Sequence, residues 1–273
     1  MSEVVDKILT EGLESVLESE YRKLVREAVA IQKKENLIRK DWKKFVVVGD
    51  CHGELDTART AAEFAIERGI PIVFLGDYVD RGRNQLETLA YVLGLKVDRP
   101  DKTILLKGNH ETVRMNKRYG FHEVIQSRYS LLLYEDVVNL YHKLPVSAVV
   151  DGFFLAHGGI PEGIKYLDEI NKLDKNSETY KEIFWNDPDE GIMDFDENYF
   201  RGGYKIYGNR VVNEFLRNNG LKKVIRAHQV FEKGYKYYFD EKLLSIFSVP
   251  NYRGNNKGVF AYIVDNTINL KEI

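Results

Sequence analysis

The chain has 273 residues, 44% of them hydrophobic, with 40 Lys+Arg against 42 Asp+Glu and a formal net charge of −2. That length and apolar content support one domain with a sizeable core, or at most two, and the near balance of charge argues against a nucleic-acid binder working through a broad basic face. No run of 18 apolar residues marks a spanning helix, a single cysteine (Cys51) rules out an internal disulfide, and the acidic start "MSEVVDKILTEGLESVL" is unlike a signal peptide, so a soluble cytoplasmic protein without a membrane partner is expected.

Residues 1–40 place Val5, Leu9, Leu13, Val16, Leu17, Tyr21, Leu24, Val25 and Ala28 at the spacings of an amphipathic helix, with a break near Gly12. This helical segment is expected to pack on the main domain, 41–273. From residue 44 the pattern changes to short apolar runs, "KFVVVGD", "IPIVFLGD" and "TILLKGNH", each closing on Gly and a polar residue. Such runs read as strands buried on both faces. Leu55–Glu67, stopped by Gly69, and Asn84–Leu95 read as the helices between them. Strand and helix in alternation imply parallel pairing with right-handed crossovers, which gathers the polar tips at one edge of the sheet.

A helical region follows over about 111–143, and then hairpin patterns take over. "SAVVDGFFLAHGG" carries a turn at Asp151-Gly152 between two strand-like runs. "VIRAHQ", "GYKYYFDEKLLSIFSVPNY" and "GVFAYIVDNTINLKEI" read as a strand and two hairpins. The second half is therefore expected to form a mixed or antiparallel sheet facing the first, with helices outside. The fold class expected is α/β, a two-sheet sandwich of αββα type.

Only six histidines occur, and four of them (His52, His110, His157 and His228) directly follow strand-like runs. Asp50, Asp77, Asp80 and Asn109 occupy equivalent positions. His122 and His142 fall in the helical region and are given no role. Imidazole mixed with carboxylate and amide oxygen favours Mn²⁺, Fe or Zn²⁺ over Ca²⁺. The candidates are too many for one open catalytic ion and suit two ions sharing a carboxylate, as in hydrolytic sites that act on phosphate esters. Cys51, flanked by Asp50 and His52, is expected to point away from both as a small buried residue.

"GDCHG" (49–53), "GDYVDRG" (76–82), "GNHE" (108–111), "HGG" (157–159), "RAHQ" (226–229) and "FSVPNY" (247–252) resemble the signature blocks of the PPP family of serine/threonine protein phosphatases, within the calcineurin-like metallophosphoesterases. "FWNDPD" (184–189) and "YFRGGYKIYG" (199–208) resemble two further family segments, and the match runs in order from about Phe45 to Asp265. The compact length is similar to that of prokaryotic or archaeal members. The resemblance implies that Asp50 and His52 bind one metal, that Asp77 bridges, and that Asn109, His157 and His228 complete the second site, with Mn²⁺ preferred. It implies that Arg81, Arg201 and Asn109 grip the phosphate, that His110 is the general acid held by Asp80, and that Tyr252 and Tyr119 border the cleft.

The implied reaction is hydrolysis of phosphoserine or phosphothreonine in a phosphoprotein or phosphopeptide, by hydroxide held between two ions. Departures are Arg253, where eukaryotic members usually carry cysteine, and Arg114 and Lys117, which add positive charge beside the cleft. A hydrolase of dinucleoside polyphosphates or small phosphoesters is the alternative within the superfamily. A non-catalytic binding scaffold is disfavoured, because no implied ligand or acid is missing.

Overall fold

The three apolar runs form neighbouring strands of one sheet. In the computed structural model, which describes residues 2–32 and 34–273, Lys44–Val48, Ile72–Phe74 and Thr103–Leu105 pair in parallel in chain order. Helices Leu55–Glu67 and Gln85–Asp98 join them, close to the expected bounds. The C-terminal hairpin completes this sheet. Val259–Val264 lies antiparallel to Lys44–Val48 on one side and to Thr267–Glu272 on the other.

The second sheet has six strands, ordered Leu37–Lys40, Ser147–Val150, Phe153–Ala156, Lys223–Arg226, Leu243–Ile246 and Tyr235–Tyr238. It is mixed. Ser147–Val150 and Phe153–Ala156 are antiparallel, while Lys223–Arg226 runs parallel to both of its neighbours. Asp151 (φ 47°) and Gly152 (φ 82°) make the hairpin turn, both in the left-handed backbone region such turns require. A small third sheet pairs Asp187–Pro188, Tyr204–Tyr207 and Phe195–Asn198.

Two expectations need correction. The N-terminal segment is helical only over Glu3–Glu11, a short turn at Leu13–Ser15, and Glu18–Ile31, with Gly12 (φ 89°) at the break. Leu37–Lys40 is instead an edge strand, paired in parallel with Ser147–Val150. Four residues are too few for periodicity to separate helix from strand. The C-terminal hairpin, expected in the second sheet, belongs to the first; which strand it would join lies in no local pattern.

The unbroken apolar runs follow from the layering. Phe45 and Val47 point into the space between the sheets, with Leu155, Ile225 and Ile246 opposite, whereas Val46 and Val48 point outward into the helical layer. Phe154 and Val224 do the same on the outer face of the second sheet. Both faces of each central strand are therefore buried, and the architecture is the expected αββα sandwich. No helix among the described residues is long and apolar enough to cross a membrane.

The N-terminal helices are part of this core. Tyr21, Val25 and Ala28 are fully buried, and the Tyr21 hydroxyl donates to the Leu86 carbonyl at 2.7 Å. Tyr21→Phe is expected to lower unfolding free energy by about 1 kcal/mol, the net value of one hydrogen bond. Tyr21→Ala is expected to cost roughly 3–5 kcal/mol through the cavity it leaves. Urea unfolding measures both, with the exposed Leu17→Ala as reference. Equal midpoints for all three would show that the segment contributes nothing to the folded state.

Candidate metal centre and active site

Five strands from both sheets end at the same edge of the sandwich. Asp50 and His52 follow Lys44–Val48, Asp77 follows Ile72–Phe74, and Asn109 and His110 follow Thr103–Leu105. From the second sheet, His157 follows Phe153–Ala156 and His228 follows Lys223–Arg226. The tips turn sharply. His52, Asp77, Asp80, Arg81 and His228 all have positive φ, between 42° and 76°, a region that costs non-glycine residues energy and persists only where surroundings enforce it. Gly108 permits the closest approach, since a Cβ there would lie 2.2 Å from Asp77 Oδ1.

Asp77 is the meeting point. Its Oδ1 accepts the His110 backbone N–H at 2.9 Å. Its Oδ2 lies 3.3 Å from His157 Nε2, 3.7 Å from His52 Nε2 and 4.0 Å from His110 Nε2. Asp50 is arranged alike, with Oδ1 accepting the His228 N–H at 2.9 Å and Oδ2 3.4 Å from His52 Nε2. His157 Nε2 is also 3.0 Å from Asn109 Oδ1 and 3.1 Å from His228 Nδ1.

The ring protons decide what this convergence means. His52 Nδ1 faces the Val79 carbonyl and His157 Nδ1 the Leu75 carbonyl, each at 3.2 Å. A carbonyl only accepts, so each Nδ1 carries a proton, and in the neutral ring each Nε2 presents a lone pair to the surrounding oxygens. Lone pairs crowded together repel unless a positive charge sits among them. Two such clusters share Asp77, one with His52 and Asp50, the other with Asn109, His157 and His228. His228 Nε2, also buried, has no hydrogen-bond partner. The donor set therefore fits two cations of the imidazole-preferring transition series.

The carboxylates draw positive charge to this floor, which either protons on the imidazoles or bound cations can supply. Burial pulls His52 and His157 down, yet the nearby Asp50 and Asp77 carboxylates raise both above the ordinary imidazole value. Asp77 stays well below the usual carboxylate range despite burial, held there by His157 and its neighbours. His228 is pushed well down by burial and by Arg201, which favours the neutral ring that metal coordination requires.

His110 differs from the other imidazoles. Its Nδ1 meets Asp80 Oδ2 at 2.7 Å, which turns Nε2 toward the cleft. Asp80 is fully buried and is itself fixed by Asn116 Nδ2 at 3.1 Å and the Phe121 N–H at 3.0 Å. Burial lowers the His110 pKa, while Asp77 and Asp80 work against it. His52, Asp77 and His110 also lie close enough together for His110 to join an ion, so proximity alone does not assign it.

The cleft above these residues has a volume of about 490 Å³. Asp50, His52, Asp77, Asn109, His110 and His228 form its floor; Arg81, Arg201, Tyr119 and Tyr252 stand in its walls. His157 and Asp80 lie buried behind the floor. The Arg81 guanidinium sits 3.9 Å over the Tyr119 ring. Arg201 Nε donates to Asp187 Oδ2 at 2.8 Å, and Asp187 Oδ1 takes Arg226 at 2.8 Å. Fully buried Arg226 also donates to the Gly158 and Asn186 carbonyls, at 2.8 and 3.0 Å, so Arg201 is braced from the second sheet. Tyr252 stacks on His52 with ring centres 5.3 Å apart.

Cys51 is buried with its sulfur 3.8 Å from the Gly49 carbonyl. Neither His122 nor His142 lines the cleft, and Lys117, expected beside it, does not either. The residue that does is Arg118, one helical turn from Arg114 on helix Val113–Tyr119; the intervening Lys117 points elsewhere.

Two residues were missed by the sequence reading. Fully buried Glu111 accepts the N–H groups of Asp77 at 2.8 Å, Tyr78 at 3.0 Å and Gly108 at 2.8 Å, tying two strand tips together. Burial and the Asp77 charge raise its pKa, against the pull of those three donors. Trp185 stacks on Tyr204 at 4.9 Å and meets His228 edge-on at 5.7 Å. A carboxylate immediately after two ligand-type residues was the signal for the first. A tryptophan directly before the polar run 186–189, in a chain with only two tryptophans, was the signal for the second.

A model of the calcineurin-like phosphoesterase family matches residues 43–231. Among solved structures, a protein serine/threonine phosphatase from Saccharomyces cerevisiae with similarity to human phosphatase PP5 superposes with a TM-score of 0.87 at 22% identity, covering 100% of this chain and 96% of that one. A cold-active protein-tyrosine phosphatase of a psychrophilic Shewanella species gives a TM-score of 0.61 at 17% identity, over 89% of this chain and 83% of that one. A putative diadenosine tetraphosphatase gives 0.52 at 16% identity, over 87% of this chain and 98% of that one.

Glu111→Ala strands three buried N–H groups. Each unsatisfied group costs roughly 1–3 kcal/mol, so a loss of about 3 kcal/mol or more in urea unfolding is expected. Glu111→Gln, which keeps an acceptor, should lose less. A Glu111→Ala protein as stable as the parent would mean the tips are held by something else.

Proposed function

Because this chain belongs to the calcineurin-like phosphoesterase family, we propose that it is a phosphatase of phosphoserine and phosphothreonine in protein or peptide substrates. Phosphoester hydrolysis and a dinuclear metal centre come with the family. In our reading Asp50 and His52 hold one cation, Asp77 both, and Asn109, His157 and His228 the other. Mn²⁺ is the preferred identity, with Fe or Zn²⁺ compatible with the same donors. When bound, such a pair supplies Lewis acidity and a water acidic enough to serve as nucleophile near neutral pH.

The protein's own groups do the rest. Arg81 and Arg201 grip the peripheral phosphate oxygens, and each is already braced, by Tyr119 and by Asp187. Preorganised donors of this kind stabilise charge that grows toward the transition state without having to reorganise first. Asn109 contributes its amide at the same face.

The observation that carries the substrate class is the His110–Asp80 pair, at 2.7 Å. Asp80 holds the Nδ1 proton and aims Nε2 into the cleft, where it can deliver a proton to a departing oxygen. An alkoxide from serine or threonine leaves poorly without that proton. A phosphate leaving group, as in dinucleoside polyphosphates, leaves readily without it. The order of the signature blocks supports the same reading, as does a broad mouth edged by the exposed Tyr199 and Phe200, open to a polypeptide.

Metal analysis should return two ions per chain, and chelation should abolish phosphatase activity, with Mn²⁺ restoring it. Asp77→Asn should weaken both ions and Asp50→Asn only one. Full activity at one ion per chain would sink the two-site assignment.

His110→Asn separates the acid from the ligands. Both ions should remain, and turnover of a phosphothreonine peptide should fall on the order of 10²–10⁴-fold. An aryl phosphate with an acidic phenol needs little protonation and should lose far less. Equal penalties on the two would remove the acid role. Faster wild-type turnover of a dinucleoside tetraphosphate than of the peptide would overturn the substrate class.

A further inference from the structure

The cleft opens into a side cavity of about 230 Å³, and the two share Arg114, Met115, Trp185 and Tyr204 as walls. The remaining polar walls of the cavity are Thr112, Lys107, Lys175 and Lys181; no carboxylate lines it. Four cations thus surround a space beside the phosphate site. Two are already engaged: Lys181 pairs with Glu178 at 2.6 Å, and Lys175 donates to the His142 carbonyl at 2.7 Å.

The other two are not engaged. Lys107 is only 7% exposed, yet among the described residues its ammonium has no hydrogen-bond or ion-pair partner; the Phe184 ring lies 5.6 Å away, and the buried Glu111 carboxylate attracts it without pairing with it. A buried ammonium that no carboxylate hydrogen-bonds is destabilising, and an anion seated against it offsets that penalty. Exposed Arg114 makes no ion pair among the described residues either, and it stands one turn from Arg118, which lines the cleft but not the cavity.

We propose that this annex seats a second anionic group of the substrate, a carboxylate or phosphate carried a few residues from the phosphoserine or phosphothreonine. The enzyme then prefers acidic or multiply phosphorylated segments. This rests on the phosphoprotein reading above. The stacked Trp185 and Tyr204 rings form the shared wall between phosphate site and annex, so one peptide can occupy both.

The test uses one phosphothreonine peptide with alanine flanks, the same peptide with glutamate flanks, and one carrying a non-hydrolysable phosphonate as its second anion. An aryl phosphate, too small to reach the annex, is the control. The wild-type protein should favour both charged peptides by about tenfold in kcat/KM, through KM, as a charged hydrogen-bonded contact provides. Preference for only one of the two identifies which anion the annex takes.

Lys107→Met and Lys175→Glu should each erase the preference and leave aryl phosphate turnover unchanged. Lys175 is the more exposed of the two, which guards the test against a misfolded Lys107 variant. Equal kcat/KM for neutral and charged peptides in the wild type would overturn the annex, as would variants that slow both alike. Hydrolysis of the aryl phosphate but of none of the peptides would overturn the phosphoprotein reading itself.

Discussion

The Asp77 carboxylate sets the position of everything else in the cleft. One of its oxygens is spent on the His110 N–H, which fixes where the Thr103–Leu105 tip lies; the other faces imidazoles from both sheets. For this to happen, three loops must come closer together than ordinary side chains permit. Glycine at 108 and left-handed backbone at Asp77, His52 and His228 are what allow it. Strained residues of this kind cost about 1–3 kcal/mol each. The sandwich core and the Glu111 clasp on three backbone N–H groups are what hold them there. Strain is concentrated at the strand tips because the chemistry needs opposed lone pairs at short range, and a relaxed chain would move them apart.

The two sheets make unlike contributions. The first supplies the carboxylates, Asn109, His110 and Arg81, all on tight loops following parallel strands. The second supplies His157 and His228, and it also supplies the brace of Arg201 through Asp187 and the fully buried Arg226. A buried ion pair is weak evidence for stability. Its value here is geometric: Arg201 sits on an exposed segment, next to the freely exposed Tyr199 and Phe200, and the Asp187 link ties it to a strand of the core. Removing that link would leave the guanidinium present but unaimed.

Much of this was readable in the sequence, for a physical reason. A strand buried on both faces must be apolar throughout, so "FVVV" and "IVFL" announce both the strand and the abrupt polar tip after it. The helix over 55–67 and the Asp151-Gly152 turn follow from equally local rules. What local rules do not carry is partnership. Leu37–Lys40 was taken for helix because its pairing with Ser147–Val150 lies more than a hundred residues away in the chain. The C-terminal hairpin was put in the wrong sheet for the same reason. At the site, residues with familiar metal chemistry stood out, while Glu111 and Trp185 did not, since a clasp and a wall act only through contacts the fold creates. Lys117 and Arg118 are neighbours in sequence with the same charge, and only the helix phase separates them.

The near-zero net charge conceals a strongly uneven field. Balance over the whole chain argued against a broad basic face, yet the cleft gathers Arg81, Arg114, Arg118, Arg201 and Arg253, and among the described residues Asp50 and Asp77 are the only carboxylates that line it. Those two acids sit at the floor of the cleft, among the converging imidazoles. Without cations they offset two of the arginines in the walls, and a dianion gains little by entering. Two divalent ions held there would reverse that balance at the floor, which would couple metal occupancy to phosphate affinity before any bond is broken. The rim arginines lie outside this compensation. Their charge attracts anions whether or not the floor is loaded, so on our reading they would act on the approach of a phosphorylated substrate, and the floor on its retention.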